Sequence, residues 1–260
     1  MYVDYRVKAE PEVLGMLRRI GYEGFGTEFC EGYEEVLRMA EAASLKPFFL
    51  VRPKVKVPSG IGHMALRVVK PREARKGFDL LELGEGVEGI KEAYEFCRRI
   101  GYTGFRVEVR VDRLRKLKGR ELIENLRELV KLFGLLKDRG IGVAFSSGAR
   151  DWRELVSVRS MKQLEKYLTG EFVLKLKAKG KRRYIRLVGD GSLGELKGRM
   201  LELFGSLAYG LLDARVVRLG DGFALRCPHH HLDAWLLCLA LSDSRLVSLG
   251  VSGTLRGLRD

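Results

Sequence analysis

Residues 18–29 read RRIGYEGFGTEF and residues 98–109 read RRIGYTGFRVEV, eighty positions later, with eight of the twelve residues identical. Each copy has the pattern of a helix end, a glycine turn and a strand, so the same βα junction recurs within one chain. Gly21 and Gly101 stand where a helix C-terminus favours a left-handed residue. Working outward, strand-like runs occupy residues 2–7, 24–29, 47–51, 65–69, 78–83, 105–109 and 142–146. Amphipathic stretches at 11–20, 33–43, 89–100 and 121–139 separate most of them, and the last spaces Leu122, Leu126, Leu129, Leu132 and Leu136 at helical intervals. Strands alternating with helices form parallel sheets. Seven in one series favour a closed or nearly closed TIM-like (β/α) barrel over a small open sheet.

The pattern changes after Gly170. Residues 171–179 read EFVLKLKAK, an apolar alternation that predicts a strand. A strand at 183–188, a helix at 192–209, strands at 213–219 and 222–227, a helix at 229–242 and a strand at 245–249 follow. Leu219-Gly220-Asp221-Gly222 is a hairpin turn. The order β-α-β-β-α-β is the α+β ferredoxin-like plan shared with RNA-recognition modules. The expected organisation is therefore a barrel domain at 1–170 and a ferredoxin-like RNA-binding domain at 171–260.

Charge points to an anionic partner. The 260 residues hold 48 Lys and Arg against 34 Asp and Glu, a formal charge of +14, and nucleic acid is the commonest partner of such a surface. A hot-adapted surface, with 32% charged residues, is the alternative source of that charge. The smaller domain is the more basic per residue, +6 over 90 positions against +8 over 170. A hydrophobic fraction of 46% suffices for a core. The densest apolar run, 232–241, is too short for a bilayer and is broken by Asp233. The start, Met1-Tyr2-Val3-Asp4-Tyr5, has an acid within four residues and no apolar core, so no signal peptide is expected. Cys30, Cys97, Cys227 and Cys238 form no CxxC pair and have apolar or aromatic neighbours. They read as small buried hydrophobes of a reducing, cytoplasmic protein.

Lys175, Lys177, Lys179, Lys181, Arg182, Arg183 and Arg186 place seven cations in twelve residues with no acid among them. Strand alternation would set Lys175, Lys177 and Lys179 on one face, with Tyr184 as an aromatic for stacking on a base or ribose. A solvated edge strand guarded by lysines is the competing explanation. Smaller basic clusters occur at Arg52, Lys54 and Lys56 and at Arg113, Arg115, Lys116, Lys118 and Arg120.

Catalytic constellations are sparse. Cys227-Pro228-His229-His230-His231 carries zinc-binding residue types, but three consecutive histidines point in different directions and no second cluster completes a tetrahedron. Acids at strand positions (Asp4, Glu28, Asp79, Glu82, Glu108) are where barrel sites collect them, yet His63 is the sole histidine of that half. Ser146-Ser147-Gly148 lacks the GxSxG elbow, and Gly84-Glu85-Gly86 lacks the remaining glycines of a dinucleotide fingerprint. No autonomous catalytic site, protein-bound metal or cofactor is expected.

Two sets of strings carry a resemblance. GVAFSSGARDWRELVSVRSM (142–161) resembles the strand–SSGA–Arg signature of the barrel-forming protein subunit of archaeal and eukaryal ribonuclease P, and Tyr2-Val3-Asp4 and GYEGFGTE (21–28) fit the same family. KRRYIRLV (181–188), LELFG (201–205), RCPHHHLDAWLLCLAL (226–241) and LVSLGVSGTLRGLR (246–259) resemble its small ferredoxin-like subunit, whose closing strand runs into a Gly-x-Ser-Gly-Thr turn and a basic tail. Those subunits are normally separate chains, whereas here they are joined, and tethering replaces bimolecular assembly with a high effective concentration. The resemblance implies that catalysis belongs to an RNA with bound magnesium, which removes the 5′ leader of precursor tRNA while the protein supports its catalytic core. The implied partners are the ribonuclease P RNA, precursor tRNA indirectly, and other protein subunits. The implied RNA-binding residues are those of the basic ribbon with Tyr184, and Arg52, Lys54, Lys56 and Arg150. A homodimer through the small domain is also implied, and the strip Leu236, Leu237, Leu239, Ala240 and Leu241 is either its contact or simply a fully buried helix. A metal-dependent barrel phosphoesterase with an RNA-binding appendage and a generic RNA-binding module are the other readings. Scarce histidines weigh against the first and the paired signatures against the second.

Overall fold

The computed structural model describes residues 1–75, 77–175, 180–220 and 222–258. Seven strands, β1 (Val3–Asp4), β2 (Gly24–Glu28), β3 (Lys46–Val51), β4 (Ala65–Val69), β5 (Leu80–Glu82), β6 (Arg106–Arg110) and β7 (Gly142–Ser146), lie side by side in chain order, every pair parallel. The barrel is nearly closed. Between its first and last strands the Tyr5 amide donates to the Phe145 carbonyl at 3.2 Å, and the Lys8 amide to Ala149 at 2.9 Å. Val3, Tyr5, Leu50, Val68, Leu80 and Ala144 fill the interior.

Helices α1 (Pro11–Arg19), α2 (Tyr33–Ala42), α3 (Gly86–Arg99), α4 (Val111–Lys116), α5 (Gly119–Asp138) and α6 (Val158–Leu168) belong to the same part of the chain. Pro11 opens α1, where its missing N–H costs nothing, and the Ser157 side chain caps α6 by accepting the Ser160 amide. The five spaced leucines of α5 are all buried. The repeated junction sits at the ends of α1 and α3, but the copies end differently. Gly21 is left-handed (φ +99°), whereas Gly101 is not among the positive-φ glycines. In the second copy Ile100 is already extended, and the Arg139 guanidinium donates to the Cys97, Arg98 and Ile100 carbonyls, replacing the glycine cap.

The second sheet is antiparallel. It holds β8 (Arg182–Gly189), β9 (Arg215–Leu219), β10 (Gly222–Pro228) and β11 (Leu246–Ser252) in the order β11-β8-β10-β9. Helices α7 (Leu193–Phe204), opened by a Ser192/Glu195 capping box, and α8 (Leu232–Leu241) bury one face. The β9–β10 hairpin forms as expected, with Leu219 opposite Gly222.

The strand expected at 171–179 is not formed at 171–175, and residues 176–179 lie outside the described residues. The alternation there reports one-sided burial without pairing. Gly170 (φ +76°) turns the chain, and the Glu171 and Phe172 amides donate back to the Lys166 carbonyl at the end of α6. Phe172 then stacks on Phe204 at 6.0 Å, and Leu174 packs against the sheet's core. Val173 and Lys175 face solvent.

Helix α8 is apolar all round because it is enclosed all round. Leu237, Ala240 and Leu241 pack in the barrel-side cluster with Met161, Leu164 and Leu168 of α6, while Leu236, Cys238 and Leu239 join the small sheet's core. The whole strip is thus consumed inside the chain, and none of it is left to face a second copy. Two arginines clasp the same seam. Arg115 of α4 donates to the Ser242 carbonyl beyond α8 and to the Glu154 carbonyl, and Arg199 of α7 donates to the Arg115 and Leu117 carbonyls at 2.9 and 2.8 Å. Among the described residues no helix is long and apolar enough to cross a membrane.

Candidate functional site

The C-terminal ends of the barrel strands gather Asp4, Glu28, Glu82 and Glu108, as expected, but not Asp79. Asp79 precedes β5 at the opposite end, where it accepts the Arg67 amide at 2.7 Å. Arg6 grips Glu108 with two bonds of 3.1 and 3.0 Å and reaches Glu28 at 2.9 Å. Glu82 takes Arg52 at 3.0 Å and Arg113 at 3.3 Å, with Arg6 at 4.0 Å. Burial alone would raise the Glu82 carboxyl, but Arg6, Arg52 and Arg113 outweigh it and hold the pKa below the usual range. The mouth is a network of ionised pairs, three guanidiniums against three carboxylates, that ties strand ends together.

The SSGAR loop has a role at nearly every position. Ser146 donates to Glu108, and the Ser147 amide donates to Asp4 at 2.9 Å. Gly148 is left-handed (φ +68°), and a Cβ there would lie 2.4 Å from the Asp112 carboxyl. Arg150 is exposed, with its amide on Glu154. Asp4 is fully buried, and burial pushes its pKa to about 7. His63 is exposed on the 3-10 turn Ser59–Met64 that leads into β4, at the end of the barrel opposite Ser146 and Ser147. The structure brings no base to those serines from that residue.

The basic ribbon is divided by the fold. Lys177 and Lys179 lie outside the described residues, Lys175 is exposed in a non-strand segment, and Lys181 is exposed just before β8. Arg182 pairs with Asp213 at 2.8 Å, and this hydrogen bond is the main cause that holds the Asp213 pKa down. In β8 side chains alternate: Ile185 and Leu187 face the helices, so Tyr184 and Arg186 face away from them. Cross-strand register supplies two residues the sequence reading missed. Tyr184 is opposite Arg226, Arg226 is opposite Arg215, and Ser252 of β11 flanks Tyr184 on its other side. One row of the helix-free face therefore reads Ser252-Tyr184-Arg226-Arg215. Arg186 donates to the Leu258 carbonyl at 2.7 Å. The GVSGT turn delivers that carbonyl: Ser252 Oγ accepts the Thr254 amide, Thr254 Oγ1 accepts the Gly257 amide, and the chain folds back until Leu258 is buried. Arg183 sits against Gly253. The only available signal for Arg226 and Arg215 was the hairpin turn, which fixes their pairing once its register is known.

Of the other basic cluster, Arg113 engages Glu82, Arg115 the seam carbonyls and Arg120 Glu124. Lys116 and Lys118 remain exposed. His231 is buried, His230 half-buried and His229 exposed in a 3-10 turn before α8. Among the described residues no three His, Cys, Asp or Glu side chains are grouped to hold a metal ion. Cys97, Cys227 and Cys238 are buried thiols as expected, and burial pushes Cys97 and Cys227 up to about 12. Cys30 is exposed, contrary to its apolar context in sequence.

No family model matches the chain, and no curated protein does. Among solved structures it is similar to a chain in the cryo-EM structure of archaeal ribonuclease P with mature tRNA. The two are 16% identical with a TM-score of 0.48, and the match covers 64% of this chain and 82% of that one.

Proposed function

We propose that this chain is a protein component of ribonuclease P that supports the catalytic RNA in removing the 5′ leader of precursor tRNA. In this reading residues 1–170 correspond to the barrel-forming subunit and residues 171–260 to the small ferredoxin-like subunit, joined in one cytoplasmic polypeptide. The observation that carries it is a conjunction: SSGAR (146–150) at the mouth of a parallel barrel and GVSGT (250–254) closing an antiparallel sheet, in a single chain. The sheet order supports the ferredoxin-like assignment, because its fourth, first, third and second strands are neighbours in that sequence. The RNA-binding residues in this proposal are Lys175, Lys177, Lys179, Lys181, Arg182, Arg183, Tyr184 and Arg186 with Arg226 and Arg215 beside them, and Arg52, Lys54, Lys56 and Arg150 on the barrel. Tyr184 offers a stacking face between cations, the combination that single-stranded RNA requires.

Magnesium in this scheme serves the RNA's chemistry. The homodimer expected of the small unit has no use for α8. Leu207 and Tyr209 in the 3-10 turn Gly205–Leu211 and Val216 on β9 are exposed apolar residues that remain available to a second copy. Light scattering that gives monomer mass at micromolar concentration, with and without RNA, would remove the dimer.

The function is tested by incubating cognate RNA and precursor tRNA with magnesium, with and without the purified chain. Faster leader removal by the RNA when the chain is present is the expected result. Correct cleavage by the chain alone, or no effect on the RNA, overturns the proposal.

A further inference from the structure

We infer that the loop joining β5 to α3, with the cavity beside it, is a binding site for an adenosine phosphate. The inference is independent of the RNA-binding reading above. Contrary to the sequence reading, the glycine fingerprint is complete: Gly89 follows Gly84 and Gly86, and residues 84–89 read G-x-G-x-x-G. The fold supplies the setting in which that pattern holds phosphate. It follows β5, opens α3 and lies in a parallel β5–α3–β6 unit of about 30 residues. Each glycine also has the role the pattern gives it. A Cβ on Gly84 would lie 2.8 Å from the Gly89 Cα, and one on Gly89 would press on the Gly84 backbone more tightly still, so these two let the helix close on the strand end. Gly86 is left-handed (φ +64°) with open space where a side chain would stand, which leaves its backbone accessible to a ligand.

The Gly86, Val87 and Glu88 amides precede the first bond of the helix, from Gly89 to the Glu85 carbonyl, and no side chain caps them. They form the positive end of a 14-residue helix. Arg113 donates to the Leu83 carbonyl at 2.9 Å, which sets a guanidinium beside the loop. The neighbouring acids are balanced: Glu88 pairs with Lys91 at 2.9 Å, and Glu85 stands 3.9 Å from Arg113. A cavity of about 300 Å³ opens beside Gly84 and Gly86, walled by Ile90 of α3, Leu114 of α4 and Leu129 of α5. That size is at the lower end for ligand pockets and suits a single nucleotide. Asn125 of α5 is the independent sign of a ligand. It lines this cavity, is 3% exposed and donates from Nδ2 to the Glu121 carbonyl at 2.9 Å, while its Oδ1 has no partner among the described residues. A buried acceptor left open in an apolar slot calls for a ligand N–H. With the remaining Nδ2 hydrogen, the amide edge matches adenine, which offers a donor and an acceptor side by side. The acid that holds a ribose in dinucleotide sites, about 20 residues further on, is here Glu108, and Arg6 and Ser146 occupy it. The site therefore takes one nucleotide, either free or as the 5′-phosphorylated adenosine that begins an RNA.

The test is calorimetric titration of the full chain with AMP, adenosine and GMP. AMP should bind, and adenosine and GMP should bind at least about tenfold more weakly, for want of the phosphate and of the adenine edge. Asn125→Leu, which removes the acceptor and fills the cavity, and Gly86→Ala, which places a methyl group over the amides, should each weaken AMP by at least about tenfold. Thermal unfolding checks the fold of both variants. A short RNA that begins with adenosine, titrated with and without its 5′ phosphate, separates the two sources. Tighter binding of the phosphorylated form assigns the site to an RNA end, and AMP binding without that gain assigns it to a free nucleotide. No AMP binding at millimolar concentration, equal affinity for adenosine or GMP, or parental AMP affinity in the folded variants overturns the site and leaves the RNA reading standing.

Discussion

Arg115→Met is the sharpest probe of how the two sheets are joined. Arg115 is 3% exposed, and its guanidinium serves two backbone carbonyls, Ser242 just beyond α8 and Glu154 beside the barrel. Burial lowers its pKa, so the charge itself is costly, and the Asp243, Glu154 and Asp112 carboxylates offset part of that cost. Hydrogen bonds to a charged group contribute about 1.5–3 kcal/mol each. Methionine fills similar volume, relieves part of the burial cost and leaves two carbonyls dry. The net loss should be about 2–4 kcal/mol. With a urea m-value of roughly 3 kcal/mol/M for a chain of this size, the midpoint should fall by about 1 M. Trp152 lies on the barrel side of the seam and Trp235 in the small sheet's core, so single-tryptophan versions (W152F or W235F) report the two sides separately. Their transitions should coincide in the parent and separate in the variant, with the Trp235 side unfolding first. A midpoint shift below about 0.2 M, or transitions that stay coincident at a much lower midpoint, would refute the clasp as the coupling element.

The Asp4 pKa near 7 gives a second prediction. The folded state binds this proton more tightly than the unfolded chain, so its contribution is complete below about pH 4 and is lost as pH rises through about 7. Asp4→Asn should flatten that part of the stability–pH profile and leave the variant more stable than the parent at pH 8; a parallel profile would contradict it. Gly26→Ala should destabilise by about 3 kcal/mol, because its Cβ would lie 2.4 Å from the Tyr5 carbonyl oxygen, whereas Gly62→Ala meets nothing within 4 Å and should melt like the parent. Tyr184→Phe should keep single-strand RNA affinity while Tyr184→Ala loses about 1–3 kcal/mol of it by titration; equal losses would point to the hydroxyl instead of the ring.

The candidate site was only partly legible in sequence. Lys54, Lys56, Lys116 and Lys118 were visible as local runs and are exposed as such runs usually are. Arg113 and Arg115 belong to the same run, yet they are committed to partners 31 and 127 positions away that no local pattern reveals, whereas Arg120 pairs with Glu124 at the helical i,i+4 spacing. Arg226 and Arg215 join Tyr184 only through strand register, a property of pairs of segments. The pattern at 171–175 recorded burial of Phe172 and Leu174 correctly but implied a ladder that those residues do not join. A period of two states which side faces a core, and the presence of a pairing neighbour is a separate matter.

By itself the sequence determined what depends on near neighbours: all seven barrel strands, four of the helices beside them (α1, α2, α3 and α5, but not the short α4 or α6), the hairpin and the βαββαβ order, since periodicity and turn chemistry act over a few residues. It also determined the basic charge, which needs no fold at all. Tertiary structure alone decided which charges remain free. The mouth carboxylates are neutralised by arginines on connections distant in sequence, Arg6 after β1, Arg52 after β3 and Arg113 on α4, α8 is enclosed because α6 covers the side that the small sheet leaves open, and Arg186 is tied to a tail carbonyl 72 residues away. Coulomb attraction and burial act through space, and the distances that set them exist only once the chain has closed.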